Sequence, residues 1–438
     1  MDATQIAARV RDGRLSPRAV VDECLAHIAS VDPAIGAFQV VDVEGARRAA
    51  DALAARADRG TLPLAGVPVA IKDNVAVAGL PTRHGSAATS TAPAAQDDEL
   101  VRRLRAAGAI VVGKTRLPEL AIWPFTESVA FGGTRNPRDP ARNAGGSTGG
   151  GAAAVAAGLV PLALGSDGGG SLRIPAANCG VVGLKPGRGT LPTAEHWYGC
   201  TAYGPIAATV ADAALALDVL AGTDRWRGLS PTGRLRVAVS LRSPSPLGRP
   251  DATARSAVAQ AAELARQAGH AMADASPPYP ATLINAWARY WYAGVALEAR
   301  QLGLDPSRLE PRTRTVIRKG ARHPDPNTAR AWRDRVLGWF EQYDVLLTPA
   351  IARPAPLAGR ATNAGFLSAY VSSARSIPFT QAWNFAGLPA LSLPIGGTES
   401  RPGAVQIVAP DEETVLRFAL ELEQAPARVQ ATAFRSAS

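Results

Sequence analysis

The chain has 438 residues, 47% of them hydrophobic and 19% charged, with a net charge of +10. That length and balance suit a globular protein with a large core and exclude a disordered or fibrous chain. Three cysteines (Cys24, Cys179, Cys200) and five scattered histidines give neither a disulfide framework nor metal-ligand spacing, so no metal and no cofactor are expected.

The basic residues are spread along the chain, with short clusters such as 312–319 and no interleaved aromatics, which argues against a nucleic-acid interface. The N-terminus lacks an apolar leader segment. The longest apolar run, 152–164, is too short for a membrane span and is interrupted by Pro161. No membrane association and a cytoplasmic location are therefore expected.

In chain order, Ser16-Pro17 opens a helix with an apolar stripe at Val20, Val21, Cys24 and Ile28. A second helix is predicted over 42–58. The apolar run 67–71 reads as a strand with Lys72 at its end, where α/β proteins tend to place chemistry. A helix over 97–107 leads into a strand at 109–112. The Gly-, Asn- and Pro-rich stretch 131–151 reads as loop, followed by a helix from Ala152 and a strand over 160–164. Further strands are predicted at 237–239, 345–347 and 405–408, and helices at 252–268 and 411–424. Residues 275–340 are helical in pattern and Trp-rich, a cover over a site; 426–438 reads as a flexible tail. Strands alternating with helices imply an α/β fold, one large domain over 1–425 with a mixed sheet covered by helices on both faces.

All but four of the 47 basic residues are arginine. A lysine retained in such a chain marks a position where a removable proton is useful, because arginine does not give its proton up. This singles out Lys72, Lys114 and Lys185. Two glycine-rich segments each carry a serine, 145–151 with Ser147 and 168–171 with Ser171. The bland reading is flexible loop. The sharper one is a nucleophile beside converging backbone N–H groups that hold an oxyanion. The first segment also matches G-x-S-x-G, an esterase elbow with Ser147 as nucleophile and a histidine as base, but no strand precedes it.

Several motifs in order resemble the amidase signature family: Gly66-Val-Pro-Val-Ala-Ile-Lys-Asp-Asn74, Gly108-Ala-Ile-Val-Val-Gly-Lys114, Phe131-Gly-Gly-Thr-Arg-Asn-Pro137, both Gly-Ser segments, Cys179-Gly-Val-Val-Gly-Leu-Lys-Pro186 and Gly387-Leu-Pro-Ala-Leu-Ser-Leu-Pro394. The resemblance implies a Lys–Ser–Ser triad: Ser171 as nucleophile, Ser147 as proton shuttle behind a cis Gly146–Ser147 bond, and Lys72 as base. It places the oxyanion among the N–H groups of Gly168, Gly169, Gly170 and Ser171. Asp167 and Arg173 are expected to fix the loop, Lys114 and Lys185 to be structural, and Cys179 to be packing. Thr148 stands where the family usually has a second serine, Ser166 where it commonly has threonine. Gly168 stands where a larger residue is common, so a looser loop is expected.

The implied reaction is hydrolysis of a small-molecule amide or carbamate, or an ester, without a cofactor. Ala121, Trp123, Phe125, Thr148, Ile174, Trp197 and Trp383 are the candidate substrate wall, and their apolar, aromatic character suits aryl or alkyl groups. One rival is the glutaminase subunit of a tRNA-dependent amidotransferase, disfavoured by Ile174 where those subunits carry glutamine. The others are the Ser147 esterase, with a histidine among His196, His270 and His323, and a basic nucleic-acid-binding protein.

Overall fold

A computed structural model describes residues 1–230 and 233–436, with side chains through 425. Eleven strands form one sheet: β1 (Phe38–Val41), β2 (Pro68–Lys72), β3 (Ile110–Thr115), β4 (Leu162–Asp167), β5 (Val182–Lys185), β6 (Ala202–Ala207), β7 (Arg236–Val239), β8 (Ala271–Asp274), β9 (Val345–Pro349), β10 (Ala390–Gly397) and β11 (Pro402–Val408). Their spatial order is β1-β3-β2-β4-β6-β5-β10-β11-β9-β7-β8. The sheet is mixed: β2 runs parallel to both β3 and β4, and β7 to both β9 and β8, while the remaining pairs are antiparallel.

The two-residue period of the strands sorts their side chains between two cores. Val237, Val345, Leu347, Leu391, Val405 and Ile407 join the larger one. Their neighbours Ala238, Leu346, Ala390 and Val408 join a second, rich in tryptophan and tyrosine. Helices therefore cover both faces. The helices of the 275–340 region (Leu283–Gln301, Pro311–Lys319, Pro326–Phe340) contribute to the aromatic core. Among the described residues no helix is long and apolar enough to cross a membrane.

Local differences from the sequence reading have local causes. The second helix stops at Ala54 and gives way to a 3-10 turn, Ala57–Thr61. The 131–151 stretch is not all loop: Arg135–Asn136 pairs with Asp139–Asn143, and a helix begins at Gly149, its first turn packed so closely that a β-carbon would lie 2.2 Å from Thr126 at Gly149 and 2.4 Å from the Ala37 carbonyl at Gly150. The last helix, predicted to end at 424, runs over Glu412–Ser436, so the expected tail is helical as far as Ser436, while 437–438 and the side chains from 426 lie outside the described residues.

Candidate active site

Strands β2 and β4 pair in parallel, with Ile71 opposite Leu164, so Lys72 and the Ser166-Asp167 pair emerge at the same edge of the sheet. Lys72 is fully buried. Its Nζ lies 2.7 Å from Ser147 Oγ, 3.0 Å from Ser166 Oγ and 3.4 Å from the Ser166 carbonyl. Burial pushes its pKa down to about 7, against the pull of Asp167 and Glu298. The Gly146–Ser147 bond is cis. Thr148 N–H donates to the Ser171 carbonyl (3.1 Å), which ties the two serine-bearing segments together.

Beyond β4, the loop that carries Ser171 is organised by Asp167. Its carboxylate accepts the N–H groups of Gly170 (2.5 Å) and Leu172 (3.1 Å), Asn384 Nδ2 (2.8 Å), and a bidentate pair from Arg173 (2.9 Å each). Arg173 uses all five of its N–H donors, the others going to Thr380 O, Gln406 Oε1 and Asn384 Oδ1. Burial alone would raise the Asp167 pKa, but Arg173, Lys185 and Asn384 hold it below the usual carboxylate range. One expectation needs correction here. The Gly170 N–H, expected among the oxyanion donors, is committed to Asp167, which leaves the N–H groups of Gly168, Gly169 and Ser171.

Ser171 opens onto a cavity whose aromatic and aliphatic wall includes Trp123, Ile174, Trp197, Trp287, Trp291 and Tyr370. Ala121 also lines it. Leu120–Ala121 and Trp197–Tyr198 hold positive φ angles of 49–57°, sparsely populated for non-glycine residues, and each pair sets one residue into the wall. Three expected wall residues lie elsewhere. Phe125 is stacked behind Trp123, with ring centroids 5.7 Å apart. Thr148 donates to the Ser166 carbonyl. Trp383 is completely buried among Tyr279, Trp332 and Phe340. Hydrophobic type marked Phe125 and Trp383 as apolar without showing which way they face, and the position of Thr148 beside Ser147 did not show where its hydroxyl points. Trp287 and Trp291 were legible only as part of the Trp-rich cover, and Tyr370 comes from a helix, Phe366–Ser376, that carried no distinct pattern.

The other lysines are occupied. Lys114 pairs with Asp73 (2.8 Å), and Lys185 donates to the Pro186 carbonyl (2.7 Å). The candidate histidine bases do not serve Ser147: His196 meets Thr201 and Glu298, His323 meets Tyr198, and His270 accepts the Leu235 N–H and faces Glu421. The esterase arrangement is thereby overturned, since Ser147 is bonded to Lys72 instead. Among the described residues no grouping of His, Cys, Asp and Glu is arranged to hold a metal ion. Cys24, Cys179 and Cys200 are all buried and free.

Comparison with known proteins gives four findings. The amidase family model matches residues 19–416. The protein named AmiB2 of Mycobacterium tuberculosis is 41% identical over 439 residues, covering 96% of this chain and 95% of its own. A 6-aminohexanoate cyclic dimer hydrolase in complex with its substrate superposes with a TM-score of 0.86 at 31% identity, over 97% of each chain. A bacterial aryl acylamidase of the amidase signature family superposes at 0.83 with 26% identity, over 97% of this chain and 96% of its own.

Proposed function

This chain belongs to the amidase signature family and is an amidohydrolase, and from that premise we propose that it cleaves small, apolar aryl or alkyl amides and carbamates through an acyl-enzyme on Ser171. The observation that carries the reading is the environment of Lys72. A neutral amine has two N–H donors and one lone pair. The two contacts with Ser166 satisfy the donors, and the lone pair is left for the Ser147 hydroxyl at 2.7 Å. Burial at a pKa of about 7 keeps a large share of the amine in that form near neutrality.

Lys72 then takes the Ser147 proton as Ser147 takes that of Ser171, and Ser171 attacks the carbonyl. The negative charge on the carbonyl oxygen is held by the N–H groups of Gly168, Gly169 and Ser171. The proton returns through Ser147 to the leaving nitrogen, which departs poorly as an anion. Water enters by the same relay and frees the acid or, where the substrate is a urethane, the carbonic half-ester, which loses carbon dioxide to leave the alcohol.

The lining supports an apolar substrate over glutamine. None of the described residues lining the cavity is Asp, Glu, Lys, Arg or His, so the α-ammonium and α-carboxylate of glutamine would be desolvated without partners. The test is mass spectrometry of the intact protein after phenylmethylsulfonyl fluoride, beside hydrolysis of a nitroanilide and an aryl carbamate. One adduct on Ser171, with turnover of either substrate, is expected. An adduct on Ser147, or hydrolysis that survives Ser171→Ala, would sink the scheme.

A further inference from the structure

The loop that carries the proposed oxyanion donors is gripped from above by the cover helix Leu283–Gln301. Trp287, on that helix, donates its indole N–H to the Gly168 carbonyl at 3.2 Å. Its ring stands where a β-carbon on Gly169 would be, 2.5 Å from it. Trp197 fills the matching space at Gly168, where a β-carbon would lie 2.6 Å from the ring. The expected loosening at Gly168 is thus corrected, since the missing side chain is replaced by an indole from a distant segment.

Trp197 is itself held in place. Its Nε1–H donates to Glu298 Oε2 at 2.9 Å, and Glu298 lies one turn from the end of the same cover helix. Glu298 is buried, with His196 at 3.4 Å and His84 at 3.5 Å. A β-carbon on Gly294 would also meet the Trp197 ring, at 2.6 Å, so the indole is clasped between the helix and the loop. A buried carboxylate is costly unless its acceptors are used, and here the main direct hydrogen-bond donor is the indole. The two imidazoles hold its pKa below the usual carboxylate range, against the effect of burial.

We infer that Glu298 is a positioning residue for the hydrolysis: by anchoring Trp197 on Gly168, it fixes the backbone N–H groups beside Ser171 in the orientation that receives the oxyanion. This rests on the acyl-enzyme reading above. It also makes the aromatic cover part of the reaction machinery as well as a wall of the cavity. A loop rotated away from the oxyanion slows bond making without weakening the apolar contacts that bind the ground state, so the effect falls on kcat.

The experiment compares Glu298→Ala, Glu298→Gln, Trp197→Phe and the Glu298→Ala/Trp197→Phe double variant on a nitroanilide. Glu298→Ala and Trp197→Phe are each expected to lower kcat about tenfold or more; KM should stay nearly unchanged in Glu298→Ala and rise in Trp197→Phe, which also trims the cavity wall. Glu298→Gln keeps an acceptor for the indole and should stay within about threefold of the parent. The double variant should be no worse than the weaker single, because both remove the same contact. Additive losses, or Trp197→Phe with an unchanged kcat, would overturn the inference. So would a Glu298→Gln loss as large as that of Glu298→Ala, which would mean that the charge acts on Lys72 instead. If Glu298→Ala does not fold, Trp197→Phe and Glu298→Gln still decide the matter. Survival of hydrolysis in Ser171→Ala would remove the acyl-enzyme reading itself, a result separate from any of these.

Discussion

Lys72 Nζ and Ser147 Oγ stand 2.7 Å apart inside the protein, and the other two contacts of the amine are both with Ser166. A guanidinium at position 72 would keep the charge and lose the lone pair, since arginine stays protonated. Lys72→Arg is therefore expected to be nearly as damaging as Lys72→Ala, each lowering kcat by about 10³-fold or more. Single-turnover hydrolysis of a nitroanilide, with thermal unfolding as the control for folding, measures it. Substantial activity in Lys72→Arg would remove Lys72 as the base.

The pH dependence follows with a definite sign. Only the deprotonated amine accepts a proton, and burial brings Lys72 down to about 7. Activity should thus rise with pH through that value and level off above it, as read from kcat/KM against pH. Lys185 is also brought down to about 7, by burial first and Arg173 second. It meets the Pro186 carbonyl and no serine, so Lys185→Met should leave the acid limb where it is. Displacement of that limb in Lys185→Met would reassign it.

Asp167 neutralises Arg173 where both are fully shielded from solvent. Replacing the carboxylate with an amide leaves a buried guanidinium short of its counter-charge. Asp167→Asn is expected to cost about 3–5 kcal/mol of stability. Urea unfolding should show a lower midpoint at an unchanged slope. An unchanged midpoint would mean that Arg173 is compensated by Asn384, Gln406 and the Thr380 carbonyl alone.

The cavity wall should discriminate by size. Ile284 lines the cavity from the cover helix. Ile284→Ala removes apolar contact with the distal part of a large substrate, and kcat/KM for an aryl or long-chain amide should fall about tenfold, with acetanilide affected less. Equal losses on both substrates would place the substrate elsewhere.

Much of this site could be read from the sequence, for physical reasons. Lys72 stood out because arginine serves nearly everywhere else that a positive charge is needed. The two serines stood out through their glycines. What could not be read is contact at a distance. Glu298 is one carboxylate in a helical stretch, and its partners sit at positions 84, 196 and 197. Gly168 looked like slack because the ring that fills its space lies 29 residues away in the chain. The Gly170 N–H looked available because nothing local shows that the Asp167 side chain folds back onto it. Short strands such as β5 and β6 escaped for a similar reason: four to six residues among prolines and glycines carry too little periodicity to be told from loop.

Lys72 and Asp167 sit at the ends of β2 and β4, adjacent interior strands with pairing partners on both sides. Local opening cannot separate them without breaking those ladders, so their relative position should persist for as long as the sheet does. Amide protons of Ala70 and Gly165 should accordingly exchange with deuterium only through global unfolding, among the slowest in the chain. Of the indoles over the loop, Trp287 arrives from a separate helix and Trp197 from the turn before β6, and the amides of these segments can exchange faster. Denaturant would then act in two stages: slower turnover first, as the roof loosens, and complete inactivation only when the sheet itself is lost.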